Sequence, residues 1–395
     1  MYVPFLLERA AILPGISLEV LLLLRTDGDE VAPCDQLTAL VEKLETAQRS
    51  RDRAFVHHRS AYAIRYNSKK RRLLILPGAI KKETRLTKVK QIRPNFWQIS
   101  LPFQGEEEII GSYLLAGNGE LALIDPGPGS TLEALFGGLR EAGFDPRDLT
   151  HILATHIHLD HAGGAGSLAR RLPRAQVYVH KLGAPHLLDP SKLVASARRI
   201  YGERMQQLWG DIEPVPDEQL TVLEGNEIIN IAGRRLEVHY TPGHAVHHVI
   251  FFDAHSGELF AGDVAGVRLQ NIGFVRPPTP PPDLDLESWS ASLDLLKRLR
   301  PDVLYIGHYG AVTDIVSHIA SLRERLYDWG NFVLHAMREG KSEEEITALL
   351  IKQANPDLER VSHTFQDVVR YDIAANYPMT VQGYMRYWKL KSQKR

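Results

Sequence analysis

Cysteine is nearly missing from this chain: Cys34 is the only one in 395 residues. A disulfide within the chain is therefore excluded, and a reducing cytoplasm fits the composition. Long apolar runs are also lacking. Met1 to Leu24 is apolar in places, but Glu8, Arg9 and Glu19 interrupt it and no basic stretch precedes it. A secretory leader is not expected from that pattern. No uncharged run reaches the roughly 18 residues that a membrane span needs. Net charge is almost nil, at −1. The chain as a whole thus gives neither nucleic acid nor a membrane an electrostatic handle. No internal repeat is visible.

What remains is ordinary for a soluble globular protein, with 44% hydrophobic and 24% charged residues. The length suits two or three domains. Charge is uneven along it. Residues 1–93 hold 18 Lys and Arg against 10 Asp and Glu, whereas the remainder is acidic. Before that break, DQLTALVEKLETAQ has helical spacing, and AYAIRY and RRLLIL flank NSKK as a hairpin would. The basic cluster Lys69–Arg72 reads as a solvated turn. From Phe96, short apolar runs broken by Gly, Asn and Pro predict successive strands, with helices between them such as TLEALFGGLREAG. From Leu284 onward the pattern is mainly helical. An accessory α/β domain over 1–88, a central domain over 89–325 and a helical extension over 326–395 are expected. PPTPPPD, residues 277–283, must be stiff and extended.

The chemistry concentrates in THIHLDHAGG, where His156, His158, Asp160 and His161 occupy six positions between a strand and a helix. Alternation sends His156 and His158 to one side, and Asp160 and His161 can reach a second point. Two adjacent metal sites are the natural reading, and imidazole with carboxylate suits Zn²⁺, Fe or Mn. One loop cannot complete two coordination shells. Further donors lie just past apolar strands: His244 in YTPGHAVHH, Asp263 in ELFAGD and His308 in VLYIGHYG. A carboxylate between two cations can bridge them. His247 and His248 compete with His244, but the preceding TPG favours His244. His180, His186, His239 and His255 read as ordinary histidines.

This order of motifs resembles the metallo-β-lactamase superfamily over about residues 95–310. The resemblance implies a four-layer αββα sandwich with the site at one edge of its two sheets. It places His156, His158 and His244 at a first metal, Asp160, His161 and His308 at a second, and Asp263 between them. Asp125, in IDPGPG, matches a residue that supports the site without binding metal. Two divalent ions, zinc foremost, would make a shared hydroxide a nucleophile at neutral pH, with Asp160 orienting it.

The general look resembles the glyoxalase-II-like and lactonase-like branch, so cleavage of an ester, thioester or lactone in a small molecule is the leading expectation. Departures exist. The lactonases' tyrosine is replaced by Gly266, and GDVAGVRLQN lacks the Phe-rich stretch of glyoxalase II. Alternatives are a nuclease or phosphodiesterase, and a mono-iron sulfur dioxygenase. An apolar lid over LVASARRIYGERMQQLWG, with Tyr201, Met205 and Trp209 beneath it, is expected to shape the pocket. Arg268, Phe274 and Tyr309 are further pocket candidates. Homo-oligomerisation is left open.

Overall fold

The computed structural model describes residues 62–67, 72–77, 88–269 and 272–393. The expected helix over DQLTALVEKLETAQ, Cys34 and the basic cluster 69–71 lie outside them. The chain divides into two compact units, 1–85 and 86–395. In the first, β1 (Tyr62–Asn67) and β2 (Arg72–Pro77) pair antiparallel, with Asn67 opposite Arg72, as the expected hairpin requires.

The second unit is built on two mixed sheets. One has seven strands in the order of the chain: β3 (Val89–Arg93), β4 (Phe96–Phe103), β5 (Glu106–Gly117), β6 (Glu120–Ile124), β7 (His151–Leu153), β8 (Gln176–His180) and β9 (Leu220–Leu223). The other has six: β10 (Ile228–Ile231), β11 (Arg234–Tyr240), β12 (Val249–Asp253), β13 (Glu258–Gly262), β14 (Val303–Ile306) and β15 (Gly310–Val312). Strands β6 to β9 run parallel, and so do β13 and β14.

Alternation along each strand makes the layers. In β6, Leu121 and Leu123 face an outer core, while Ala122 and Ile124 face the space between the sheets. In β12, Val249 and Phe251 turn inward to meet them, and Ile250 and Phe252 turn outward. Both faces of these strands are buried, so their sequences read as nearly continuous apolar runs. The helix Leu132–Glu141 covers the first sheet through Leu132, Leu135, Phe136 and Leu139. Leu286–Leu299 and Ile315–Arg338 cover the second. The result is the αββα sandwich.

Helices Glu343–Val361, Phe365–Ala374 and Tyr377–Gln393 follow. Ser342 and Thr364 each form a capping box at the start of their helix. The expected 325/326 boundary falls inside the helix Ile315–Arg338, and residues of the last three helices share one apolar cluster with β13 and β14. The helical extension is thus continuous with the second sheet's outer core. Among the described residues, no helix is long and apolar enough to cross a membrane.

Because 86–395 contains its own three apolar clusters, a chain beginning at Leu86 should fold and bind metal like the full-length protein. Thermal denaturation and elemental analysis of the truncated protein check this. A folded truncation without metal would give residues 1–85 a part in the site.

Candidate metal centre

Every candidate donor follows the end of a strand at one edge of the sandwich. After β7, residues 154–158 leave the sheet, and Leu159–Ala162 form a single helical turn carrying Asp160 and His161. His244 follows β11, Asp263 follows β13 and His308 follows β14. Two glycines permit the approach. Gly262 has φ +49°, and a Cβ there would lie 2.6 Å from the Thr155 hydroxyl. A Cβ on Gly307 would lie 2.4 Å from the His161 ring. Bulk before Asp263 or His308 would therefore push the donors apart.

The structure brings all seven residues together. His156, His158 and His244 form one group, Asp160, His161 and His308 another, and His156, His161 and Asp263 a third that links them. Within each group the donor atoms lie within 4.8 Å of one another. His158 Nδ1 is 2.9 Å from His244 Nε2, and His308 Nε2 is 3.2 Å from the Asp160 carboxylate. Asp263 stands between the groups: its oxygens lie 3.2 Å from His161, 3.5 Å from His244 and 3.8 Å from His308.

The surroundings fix which ring nitrogen faces the centre. His244 Nδ1 lies 2.8 Å from the Pro278 carbonyl, and His308 Nδ1 lies 2.9 Å from the Ile109 carbonyl. A carbonyl only accepts, so both Nδ1 atoms carry a proton and both Nε2 atoms are turned towards the centre. His161 Nδ1 contacts Asp125 at 3.0 Å. The buried Nε2 atoms of His156, His161 and His308, and Asp263 Oδ1, make no well-aligned hydrogen bond among the described residues. Unsatisfied buried polar atoms are rare and costly, and four aimed at one place need a ligand. A divalent cation fits this donor set, with outer partners orienting each ring as metal sites require.

Electrostatics point the same way. Burial pushes His156 well below the ordinary imidazole range and His244 down to about 3, so both hold a free lone pair at neutral pH. Burial also works against charge on His161 and Asp263. The carboxylates of Asp263, Asp160 and Asp125 nevertheless hold His161 well above its usual range, and His161 and His308 hold Asp263 well below. The centre attracts positive charge, which cations would supply in place of protons.

Asp125 has φ +52° and accepts from the Thr155 amide at 2.8 Å and the Thr155 hydroxyl at 2.7 Å. It anchors the donor loop besides contacting His161. Asp125→Asn should therefore weaken metal affinity by about 10–100-fold without unfolding the protein. Competition with a chromogenic chelator measures this, and unchanged affinity would reduce Asp125 to a turn residue.

Five of the candidate donors, His158, Asp160, His244, Asp263 and His308, line a cavity of about 380 Å³. Tyr201 and Trp209 line it, whereas Met205 is buried away from it. The lid is broken rather than continuous: Ser191–Tyr201 and Met205–Trp209 are separate helices around Gly202, at φ +53°. Pro278 to Asp283 form one wall. Two expectations need correction. Phe274 packs on Tyr371 and Arg325 inside the outer core of the second sheet, and Tyr309 points beneath β4 and β5 towards Gly111 and Ser100. Neither lines the cavity, because the chain turns their side chains inward beside the residues that do. Arg268 pairs with Asp314 outside it.

Sequence reasoning missed three groups. His248 accepts from the Asp263 amide at 3.2 Å and contacts the Thr241 hydroxyl at 2.9 Å, holding the Asp263 loop rather than facing the centre. His247 lines the cavity, 3.7 Å from Asp283. Ile373 and Met379, from the C-terminal helices, and Asn376 between those helices also line it. Nothing in their local pattern separates them from helix packing.

Comparison with known proteins agrees with the geometry. Residues 107–308 match the model of the metallo-beta-lactamase superfamily. A metallo-beta-lactamase fold-containing protein of Sulfurisphaera tokodaii is 31% identical over 212 residues, 52% of this chain and 75% of that protein. The thioesterase pkgB of Emericella nidulans is 26% identical over 209 residues, 53% of this chain and 48% of its own length. This chain therefore spans about half of that relative. Among solved structures, a metallo-beta-lactamase family protein from Thermus thermophilus shares the fold, with a TM-score of 0.58 at 23% identity, over 76% of this chain and 95% of that one. The chain belongs to the metallo-beta-lactamase superfamily of metallo-hydrolases.

Proposed function

We propose that this chain hydrolyses an ester, thioester or lactone bond in a small molecule, using two divalent metal ions. The reading rests above all on seven candidate donors in three overlapping groups, five of which line a small cavity. His156, His158 and His244 would hold one ion, Asp160, His161 and His308 the other, and Asp263 both. When bound, such a pair would activate water at neutral pH and polarise a carbonyl. Zinc suits the imidazole-rich set best, and iron or manganese fits it too. Asp160, half-buried at the cavity floor, orients the attacking water and can accept its proton. The curated thioesterase among the relatives supports an acyl substrate. With one cysteine in the chain, we place the enzyme in the reducing cytoplasm.

A polyanion such as RNA suits the cavity poorly, since among the described residues Lys192 is the only Lys or Arg lining it. A single-iron centre would leave the group of Asp160, His161 and His308 without a purpose. Elemental mass spectrometry of the purified protein should find close to two ions per chain. A panel of small esters, thioesters, lactones and phosphodiesters should show turnover confined to the acyl compounds. One ion per chain, or hydrolysis of phosphodiesters alone, would refute the proposal.

A further inference from the structure

The cavity above the donors is apolar on both walls. Leu193, Ala197, Ile200 and Tyr201 lie on one face of the lid helix Ser191–Tyr201 and line it. Ile373, Ala374 and Met379 line it as well, Met379 touching the Tyr201 hydroxyl, and so do Phe103, Ile109 and Leu159. Charge is scarce there. Beyond the donors, among the described residues only Lys192, Asp283 and the histidines His186 and His247 bring titratable groups besides the Tyr201 phenol, and Asp283 already faces His247. The mouth is apolar as well: Leu182, Ile200 and Val246 line the cavity and are 44%, 48% and 41% exposed. Large apolar side chains left open together mark a ligand groove.

We infer that the cavity takes the aliphatic acyl chain of a medium-length ester or thioester, with its carbonyl at the donor cluster. This rests on the acyl-hydrolase reading above and narrows it to a substrate class. In the reaction the bond from the carbonyl carbon to oxygen or sulfur breaks. The water oxygen stays on the acyl carbon as carboxylate. One water proton goes to the leaving alkoxide or thiolate and the other to solvent. A chain of methylenes covers the lid's inner face and the Met379 wall and asks for no counter-charge. A short, charged or peptide-like acyl group would leave those walls wet.

A series of p-nitrophenyl esters from acetate to octanoate, assayed on the metal-loaded full-length protein, tests this. Each added methylene should raise kcat/KM about fourfold until the chain outgrows the cavity. Butyrate, hexanoate and octanoate titrated by calorimetry should tighten in the same steps. Ile200→Glu changes an exposed position, so the fold should hold, and the charge at the mouth should flatten both series. Ala197→Phe, which fills the cavity from the lid, should cut off the longer chains first. Brisk turnover of every ester with a flat or falling series would overturn the chain-length inference alone. Turnover of phosphodiesters with none of any ester would overturn the acyl reading beneath it as well.

Discussion

Asp263→Asn should cost the protein at least one metal ion and lower turnover by at least about 100-fold, while the fold stays intact. Asp263 is the donor that meets both groups, with oxygens near His161, His244 and His308. Two divalent ions a few ångströms apart repel strongly, and a shared carboxylate offsets that repulsion. Asparagine keeps the shape but removes the charge, and it turns an N–H₂ group towards a cation. The apolar clusters that hold the sandwich do not include Asp263. Elemental analysis, circular dichroism and a rate on an acyl substrate measure the three effects. Asp160→Asn should thin out the second ion and leave the first. His180→Ala is the control: His180 stacks on Tyr240 with ring centroids 4.4 Å apart, so its loss should disturb packing but leave both ions. Two ions and full activity in Asp263→Asn would remove the bridge from the mechanism.

Arg276→Ala should lower stability by roughly 3–5 kcal/mol although it lies outside the metal centre. Arg276 is fully buried, beside the wall of prolines. Its guanidinium donates to the Tyr371 carbonyl at 3.1 Å, the Ala375 carbonyl at 2.8 Å and the Tyr377 hydroxyl at 2.9 Å. Those carbonyls lie at the C-terminal end of the helix Phe365–Ala374, where cations are favoured and the helix itself supplies only the Ala375 amide, to the Tyr371 carbonyl at 2.9 Å. The charge also lies 4.2 Å from the centre of the Tyr377 ring. Alanine removes three buried hydrogen bonds, leaving the Tyr371 carbonyl only its bond from the Ala375 amide, and opens a void. Arg276→Met would refill the void but not the hydrogen bonds. If hydrogen bonding dominates, Met and Ala should lower the urea midpoint nearly equally. A midpoint unchanged in Arg276→Ala would show that these helices do not depend on the residue. Ala375 and Asn376 line the cavity, so loosening this end should also raise KM.

The donors were legible in the sequence because each lies in a short motif at the end of an apolar strand, where a glycine and a ligand side chain stand together. THIHLDHAGG packs four of them into one loop, and Gly262 and Gly307 announce the last two, Asp263 and His308, by making room. The sheets were legible from alternation, as in ELALI of β6. The cavity was not. Phe274 and Tyr309 look like pocket residues because they neighbour the site along the chain, but a side chain's direction there depends on packing partners such as Tyr371 and Gly111. Met379 lies far along the chain from the lid, yet the Tyr201 hydroxyl contacts its sulfur at 3.4 Å. A contact between distant segments leaves no local pattern. The lid's break at Gly202 shows the reverse failure, since its helical periodicity continues across a residue whose backbone does not.

The distribution of donors along the chain sets the order in which the centre can be made. Residues 156–161 extend the first sheet, whereas His244, Asp263 and His308 extend the second. During synthesis the first four donors emerge from the ribosome with nothing opposite them. Residues 162–307 must follow before His308 can arrive, which at about 5–20 residues per second takes on the order of 10 s. A metal ion arriving in that interval would meet only half a shell. Occupancy would therefore wait for the two sheets to dock, and a filled centre would act as a clasp across them.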